Sequence, residues 1–290
     1  MALTPSQEAL LPSEDDVTFY EQHGYYTSAR IYADDELDDA VYGSERYYAG
    51  ERDTVFPLRG GYLDWRPEDG EGLRQNDYVS LQNDEIRRLV EHPLLGAIAA
   101  RLCRETESVR LFHDQLVYKP PGELEGTTIV GWHTDRAYWR TCTSDRMLTA
   151  WIPFHAVDAR SGTLTVIDGS HRWEGAERLH TFRDKDLAGL ASRMFPAGAG
   201  VREVPMTLAR GAVSFHHCRL IHGSYPNRGV RPRVALAVHM QDAANRYIAH
   251  YDAAGNPILH INDTLCRKRA DGDPDYADNN ICPVVWARGA

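Results

Sequence analysis

From Val109 to about Asp242 the chain falls into short segments, several alternating apolar and polar residues, with Gly, Pro, Asp or Asn between most of them. They read VRLFHDQLVYK, GTTIVGWHTD, MLTAWIPFHAV, GTLTVID, VREVPMTLA, GAVSFHH and RVALAVHMQD. A run of short strands with turn signals predicts a sandwich or barrel, and strands this short fit a jelly roll. Alternation also assigns faces. In MLTAWIPF, Leu148, Ala150 and Ile152 share one side, with Thr149 and Trp151 on the other.

The N-terminal third reads as helices. Ser13 with Asp16 three residues on is a capping-box-like start, and Gly24 a stop, giving a helix over Asp15 to His23. A second helix is expected over Asp34 to Val41. A third begins near Asn83 with Ile86, Leu89 and Val90 on one face; Pro93 breaks or restarts it before Leu94, Leu95, Ile98 and Leu102. These stripes are expected to be core. The whole chain, 1–290, is read as one β-rich α+β domain. Its helical part covers about 13–105 and its jelly-roll core about 109–245; loops and a last strand near Val284 fill 246–290.

A net charge of -10 argues against nucleic acid or an anionic membrane surface as partner. The five cysteines are scattered with no CxxC pair, which speaks against a zinc knuckle and for reduced thiols. MALTPSQEALLPSEDD has neither a basic start nor a long apolar run, and no stretch reaches the roughly 20 apolar residues a membrane span needs. A cytoplasmic enzyme acting on a small molecule is the expectation.

Two imidazoles and one carboxylate on one face of a metal leave open positions for substrate and O2, and this is the usual site of non-haem iron(II) oxygenases. On a strand, His and Asp at i and i+2 point to one side, and His133-Thr134-Asp135 fits. Chance alone supplies about two such triplets in a chain with this many His and acidic residues, so the match says little by itself. The other triplet, His250-Tyr251-Asp252, has only His260 downstream, too near for intervening strands, and is read as structural or surface. For His133 the third ligand is sought among His216, His217 and His222, with His239 behind them. A 2-oxoglutarate cosubstrate needs a buried cation for its distal carboxylate, and the Arg fork suits it. HGSYPNRGVRPRVALAV reads as a hairpin whose turn, near Pro226 to Gly229, sets His222 opposite Arg233. His217 with Arg228 has the same separation, but Arg228 would lie in the turn. His222 is preferred, and His216 is read as core or as a support for the ligands.

WHTD, LTAWIP, SGTLTVIDGSH and GAVSFHHCRLIHGSYPN, with Arg233 following, together resemble the phytanoyl-CoA dioxygenase-like family over roughly residues 109 to 240. The resemblance implies a double-stranded β-helix of the cupin-like type and an oxygenase using Fe(II), 2-oxoglutarate and O2. His133, Asp135 and His222 would be the iron ligands and Arg233 the 2-oxoglutarate anchor, with Gln115 and Trp151 lining the cosubstrate pocket. Asp135 stands where halogenating relatives carry a small residue, which disfavours halogenation. Ala235 replaces the Ser or Thr, and Thr134 the Gln, that relatives often have.

The expected reaction is oxidation, most simply hydroxylation, of a C–H bond in a small molecule, with a role in secondary metabolism implied by the family. Lys119, Arg136 and Tyr138 are candidates for contacting the substrate. Asp168-Gly169-Ser170 is expected to be a tight turn, and His171 structural. Two rivals remain: a cupin-type metal-dependent isomerase or dioxygenase without 2-oxoglutarate, and a binding protein that has lost the chemistry.

Overall fold

The computed structural model describes residues 3–289 except 59, 60, 71, 105, 123–127, 197 and 199. The first two residues of the GTTIVGWHTD segment thus lie outside the described residues. Its strands, in chain order, are β1 (Tyr25–Thr27), β2 (Arg74–Asp77), β3 (Ser108–Lys119), β4 (Val130–His133), β5 (Leu148–Pro153), β6 (Thr165–Ile167), β7 (Glu203–Pro205), β8 (Ser214–His217), β9 (His222–Ser224), β10 (Arg233–Asp242), β11 (His250–Tyr251), β12 (Pro257–Ile258) and β13 (Val284–Ala287). The helices are α1 (Pro5–Glu8), α2 (Glu14–His23), α3 (Asp34–Tyr48), α4 (Asp84–Val90), α5 (Pro93–Cys103), α6 (Leu187–Met194) and α7 (Ile261–Leu265). A larger antiparallel sheet runs β1-β8-β5-β10-β3-β13, with β2 also on β3, and a smaller one runs β4-β9-β6-β7.

The helices begin where the capping logic puts them. Ser13 Oγ accepts from Asp16 N, and the Asp16 carboxylate accepts from Ser13 N at 2.9 Å, while Gly24 closes α2 with φ 79°. Pro93 opens α5 at a position where its missing N–H is no loss. α3, however, runs on past Val41 to Tyr48. Gly43, which weakens a helix intrinsically, sits where any Cβ would meet the Glu85 Cβ at 2.6 Å, so it allows α3 to lie close against α4.

Strand alternation sorts the larger sheet into two faces. Leu148, Ala150 and Ile152 of β5 and Leu236 and Val238 of β10 pack in one cluster with Leu37, Ile86, Leu95 and Ile98 of the helices. Ala235, Ala237 and Trp151 turn the other way and pack with Leu164 and Val166, which belong to the smaller-sheet side. Truncating Ile152 in this core should cost about 2–5 kcal/mol. A register shift between His239 and Met240 skips Phe112 of β3, which joins a separate cluster with Trp139 and Tyr276. Side chains of both sheets line one pocket.

The hairpin expected around Asn227 does not exist. His222 sits on β9, opposite His133 of β4 in the smaller sheet, whereas Arg233 opens β10 in the larger sheet, opposite Lys119. The buried Asn227 amide donates to the carbonyls of Lys119 (3.3 Å) and Arg231 (2.8 Å), so the connection crosses between sheets rather than closing on itself. The Asp168-Gly169-Ser170 turn forms, with Gly169 at φ 69°. His250, Tyr251 and Asp252 are exposed on the β11–β12 pair and the turn beyond it. No helix among the described residues is long and apolar enough to cross a membrane.

Candidate metal centre and cosubstrate pocket

Antiparallel pairing of β4 with β9 puts the His133 and His222 rings 4.1 Å apart by centroid. Each ring is oriented by a backbone carbonyl two residues back: Nδ1 of His133 lies 2.8 Å from Gly131 O, and Nδ1 of His222 lies 2.9 Å from Leu220 O. A carbonyl only accepts, so both rings carry their proton on Nδ1 and turn a bare Nε2 the other way. Asp135 lies just past the strand, at the start of a 3-10 turn over Asp135–Ala137. Its Oδ2 accepts from Thr149 Oγ at 2.6 Å and lies 3.2 Å from His216 Nε2. That leaves Oδ1, 3.6 Å from His222 Nε2. One ligand atom each from His133, Asp135 and His222 falls within 4.8 Å of the others, and all three side chains are buried.

The charges suit a cation. Burial alone would raise the Asp135 carboxyl, but the imidazoles of His222, His216 and His239 hold it well below the usual carboxylate range. Burial, opposed by Asp135, lowers His133; burial together with His133 and His216 pushes His222 well below its ordinary value. Two neutral nitrogens and an ionised oxygen, buried and convergent, are the donor set of a divalent transition metal. The residues fit iron.

These side chains line a cavity of about 900 Å³ that also takes in Gln115, Trp151, Thr149, His216, Tyr138 and Arg233. Arg233 is 2% exposed, and its Nε and Nη1 have no hydrogen-bond partner among the described residues. Its guanidinium carbon lies 5.5 Å from the centroid of the Trp151 ring, and burial pulls its pKa down to about 10. A buried fork of unpaired N–H groups at the wall of a pocket is the counterpart of a carboxylate. The residues fit 2-oxoglutarate as well. Gln115 donates from Nε2 to Asp77 at 2.8 Å, and burial lifts the Asp77 carboxyl to about 7.

Two of the substrate candidates are placed otherwise. Arg136 is not at the pocket wall; it donates to the carbonyls of Trp139 and Cys142 and pairs with Asp145 at 3.1 Å, fastening the loop behind the metal site. Lys119 is fully buried, and its Nζ donates to Ser224 Oγ and Tyr225 O, both at 2.6 Å, bridging the two sheets beside Arg233. Tyr138 does line the pocket, with its ring 3.9 Å from that of His180. His217 is turned away, accepting from Arg219 N with its ring near Tyr20 and His171. His171 Nε2 donates to Glu21 O, and the ring packs under Gly24, a structural place. The pocket residues that the sequence reading did not name for the site are Thr149, Asp77, His113 and His260, while His239, the least favoured metal-ligand candidate, lies at the pocket wall. Thr149, His113 and His239 share strand faces with Trp151, Gln115 and Arg233, so alternation along β5, β3 and β10 pointed to them.

The model of the family described as "Phytanoyl-CoA dioxygenase (PhyH)" matches residues 20–235. The peroxisomal phytanoyl-CoA dioxygenase of Rattus norvegicus is 23% identical over 283 residues, covering 90% of this chain and 78% of that protein. In fold, the chain is similar to the non-heme alpha ketoglutarate dependent carbocyclase SnoK from nogalamycin biosynthesis (TM-score 0.69, 23% identity, 95% of this chain and 97% of that one). It is also similar to EctD from S. alaskensis, crystallised with 2-oxoglutarate and 5-hydroxyectoine (TM-score 0.64, 21% identity, 88% and 84%). The family match makes the chain a non-haem iron(II)- and 2-oxoglutarate-dependent dioxygenase. Within that class, the chain belongs to the phytanoyl-CoA dioxygenase family.

Proposed function

We propose that His133, Asp135 and His222 hold the ferrous ion, that Arg233 grips the distal carboxylate of 2-oxoglutarate with Trp151 and Gln115 beside it, and that the enzyme oxidises a C–H bond of a small molecule. Hydroxylation is the simplest outcome. The observation that carries this reading is one pocket holding three convergent, oriented ligand atoms and a buried, unpaired guanidinium.

When bound there, iron with 2-oxoglutarate and O2 supplies the oxidant for an unactivated C–H bond and releases succinate and CO2. The protein's part is positional. Thr149 and His216 occupy Asp135 Oδ2 and leave Oδ1 for the metal. The backbone carbonyls of Gly131 and Leu220 fix the ring faces of the two histidines. Apolar and aromatic walls, among them Val117, Leu164 and Phe182, exclude water from the reacting centre.

We read the two facing sheets as a double-stranded β-helix forming one domain with the N-terminal helices. A role in secondary metabolism is in keeping with the fold shared with a nogalamycin carbocyclase. The test is succinate formation from 2-oxoglutarate under air. It should require added Fe(II) and vanish in His222→Ala; Fe(II)-independent turnover, or turnover retained in that variant, would refute the assignment.

A further inference from the structure

On one side of the metal ligands the pocket reaches a group of three imidazoles: His113 of β3, His239 facing it on β10, and His260 just before α7. The His113 ring lies 4.3 Å from that of His239 and 5.0 Å from that of His260, and Trp139 stands nearly perpendicular to His239 at 5.1 Å.

Hydrogen bonding decides what each ring has left to offer. Thr149 Oγ lies 2.6 Å from Asp135 Oδ2 and 2.7 Å from His239 Nδ1. A carboxylate only accepts, so the hydroxyl proton goes to Asp135 and the hydroxyl oxygen accepts from His239 Nδ1–H. Neutral His239 therefore presents a bare Nε2, an acceptor. His260 is wired in the opposite sense. Its Nδ1 accepts from Asn262 N at 3.2 Å, so the ring proton sits on Nε2 and is a donor. His113 is 6% exposed, and among the described residues neither of its ring nitrogens has a hydrogen-bond partner. A buried polar group left so is costly unless a ligand or water satisfies it. Burial holds His113 well below the ordinary imidazole range, and likewise His260 at about 3, so both rings are neutral at neutral pH.

We propose that these three imidazoles recognise a ring hydroxyl of the substrate, which donates to His239 Nε2 and accepts from His260 Nε2–H, with the ring lying against Trp139. His113 takes whichever role a neighbouring substrate oxygen leaves. This rests on the iron and 2-oxoglutarate reading of the pocket and names its substrate class: a neutral, hydroxyl-bearing cyclic compound. A carboxylate, which only accepts, would face the His239 lone pair. An ammonium, which only donates, would face the His260 N–H.

The test uses the enzyme loaded anaerobically with Fe(II) and 2-oxoglutarate, titrated with 2-naphthol, naphthalene and 2-naphthoate and followed by probe fluorescence. The expected result is 2-naphthol binding about tenfold or more tighter than either analogue. That preference should fall about tenfold in His260→Asn, which keeps a side-chain acceptor for the Asn262 N–H, while naphthalene binding is kept. Equal or tighter binding of naphthalene or 2-naphthoate by the wild type overturns the proposal, whether or not a variant folds. So does a preference unchanged in His260→Asn. The visible charge-transfer band of the Fe(II)–2-oxoglutarate complex is read in the same samples; its absence would count against the metal assignment, on which the ranking of probes does not depend.

Discussion

The two ends of the pocket differ in what the protein leaves unpaired. At the Arg233 end it is a cation: two guanidinium nitrogens, buried, with no hydrogen-bond partner among the described residues. At the far end it is a set of neutral rings, with His113 offering both nitrogens and His239 and His260 one each. The proposed metal ligands lie between. On the proposed reading, one end holds the fixed charge of 2-oxoglutarate and the other a neutral group of the substrate. If so, cosubstrate and substrate are told apart by charge within a single cavity.

The largest effect should come from the middle. Asp135→Ala is expected to abolish succinate formation and stoichiometric iron binding, with the fold retained by circular dichroism, because the vacated site keeps only two neutral nitrogens. Next comes the cation end. Arg233→Leu should raise the KM for 2-oxoglutarate by about tenfold to a hundredfold, the worth of charged hydrogen bonds, with Fe(II) affinity unchanged. An unchanged KM would remove the basis of the contrast between the ends. Thr149→Val, which frees Asp135 Oδ2 and leaves His239 without its acceptor, should weaken Fe(II) binding about tenfold to a hundredfold in equilibrium titration.

The smallest effect concerns Asp77, half-buried at the pocket wall beside Gln115. Burial raises its folded-state pKa to about 7, so the folded protein binds a proton more tightly than the unfolded chain. Stability therefore falls as pH rises from the ordinary carboxylate range to about 7, and the loss is complete above that. Asp77→Asn keeps an acceptor for Gln115 without the charge. It should raise the melting temperature at pH 8, and the gain should shrink to nothing by pH 4; a gain independent of pH would contradict the burial argument.

Much of this was legible in the sequence, for reasons that differ by residue. His133 and Asp135 stood out because a strand-like segment carried them two apart, and the faces of β5 followed from simple alternation. The chain pointed to His222 and Arg233 through a hairpin that does not form. The error lay in pairing across the nearest turn, when β9 pairs with β4 and β10 with β3 and β5. Local spacing carries no record of which sheet a strand will join. Lys119 and Arg136 were harder to place: whether a long cation meets substrate or caps backbone carbonyls depends on how loops fold, one distant in sequence at Tyr225 for Lys119 and one close by at Cys142 for Arg136. His260 and Asp77 lie outside the long alternating strands and enter the pocket only through tertiary packing, so no periodicity announced them.

The most direct measurement is anaerobic titration of the Fe(II)-loaded protein with 2-oxoglutarate, read as the visible charge-transfer band. The wild type should develop the band, His222→Ala should not, and Arg233→Leu should need far more 2-oxoglutarate to reach it. A band of full intensity in His222→Ala, or one reached by Arg233→Leu at wild-type concentrations, would contradict the account.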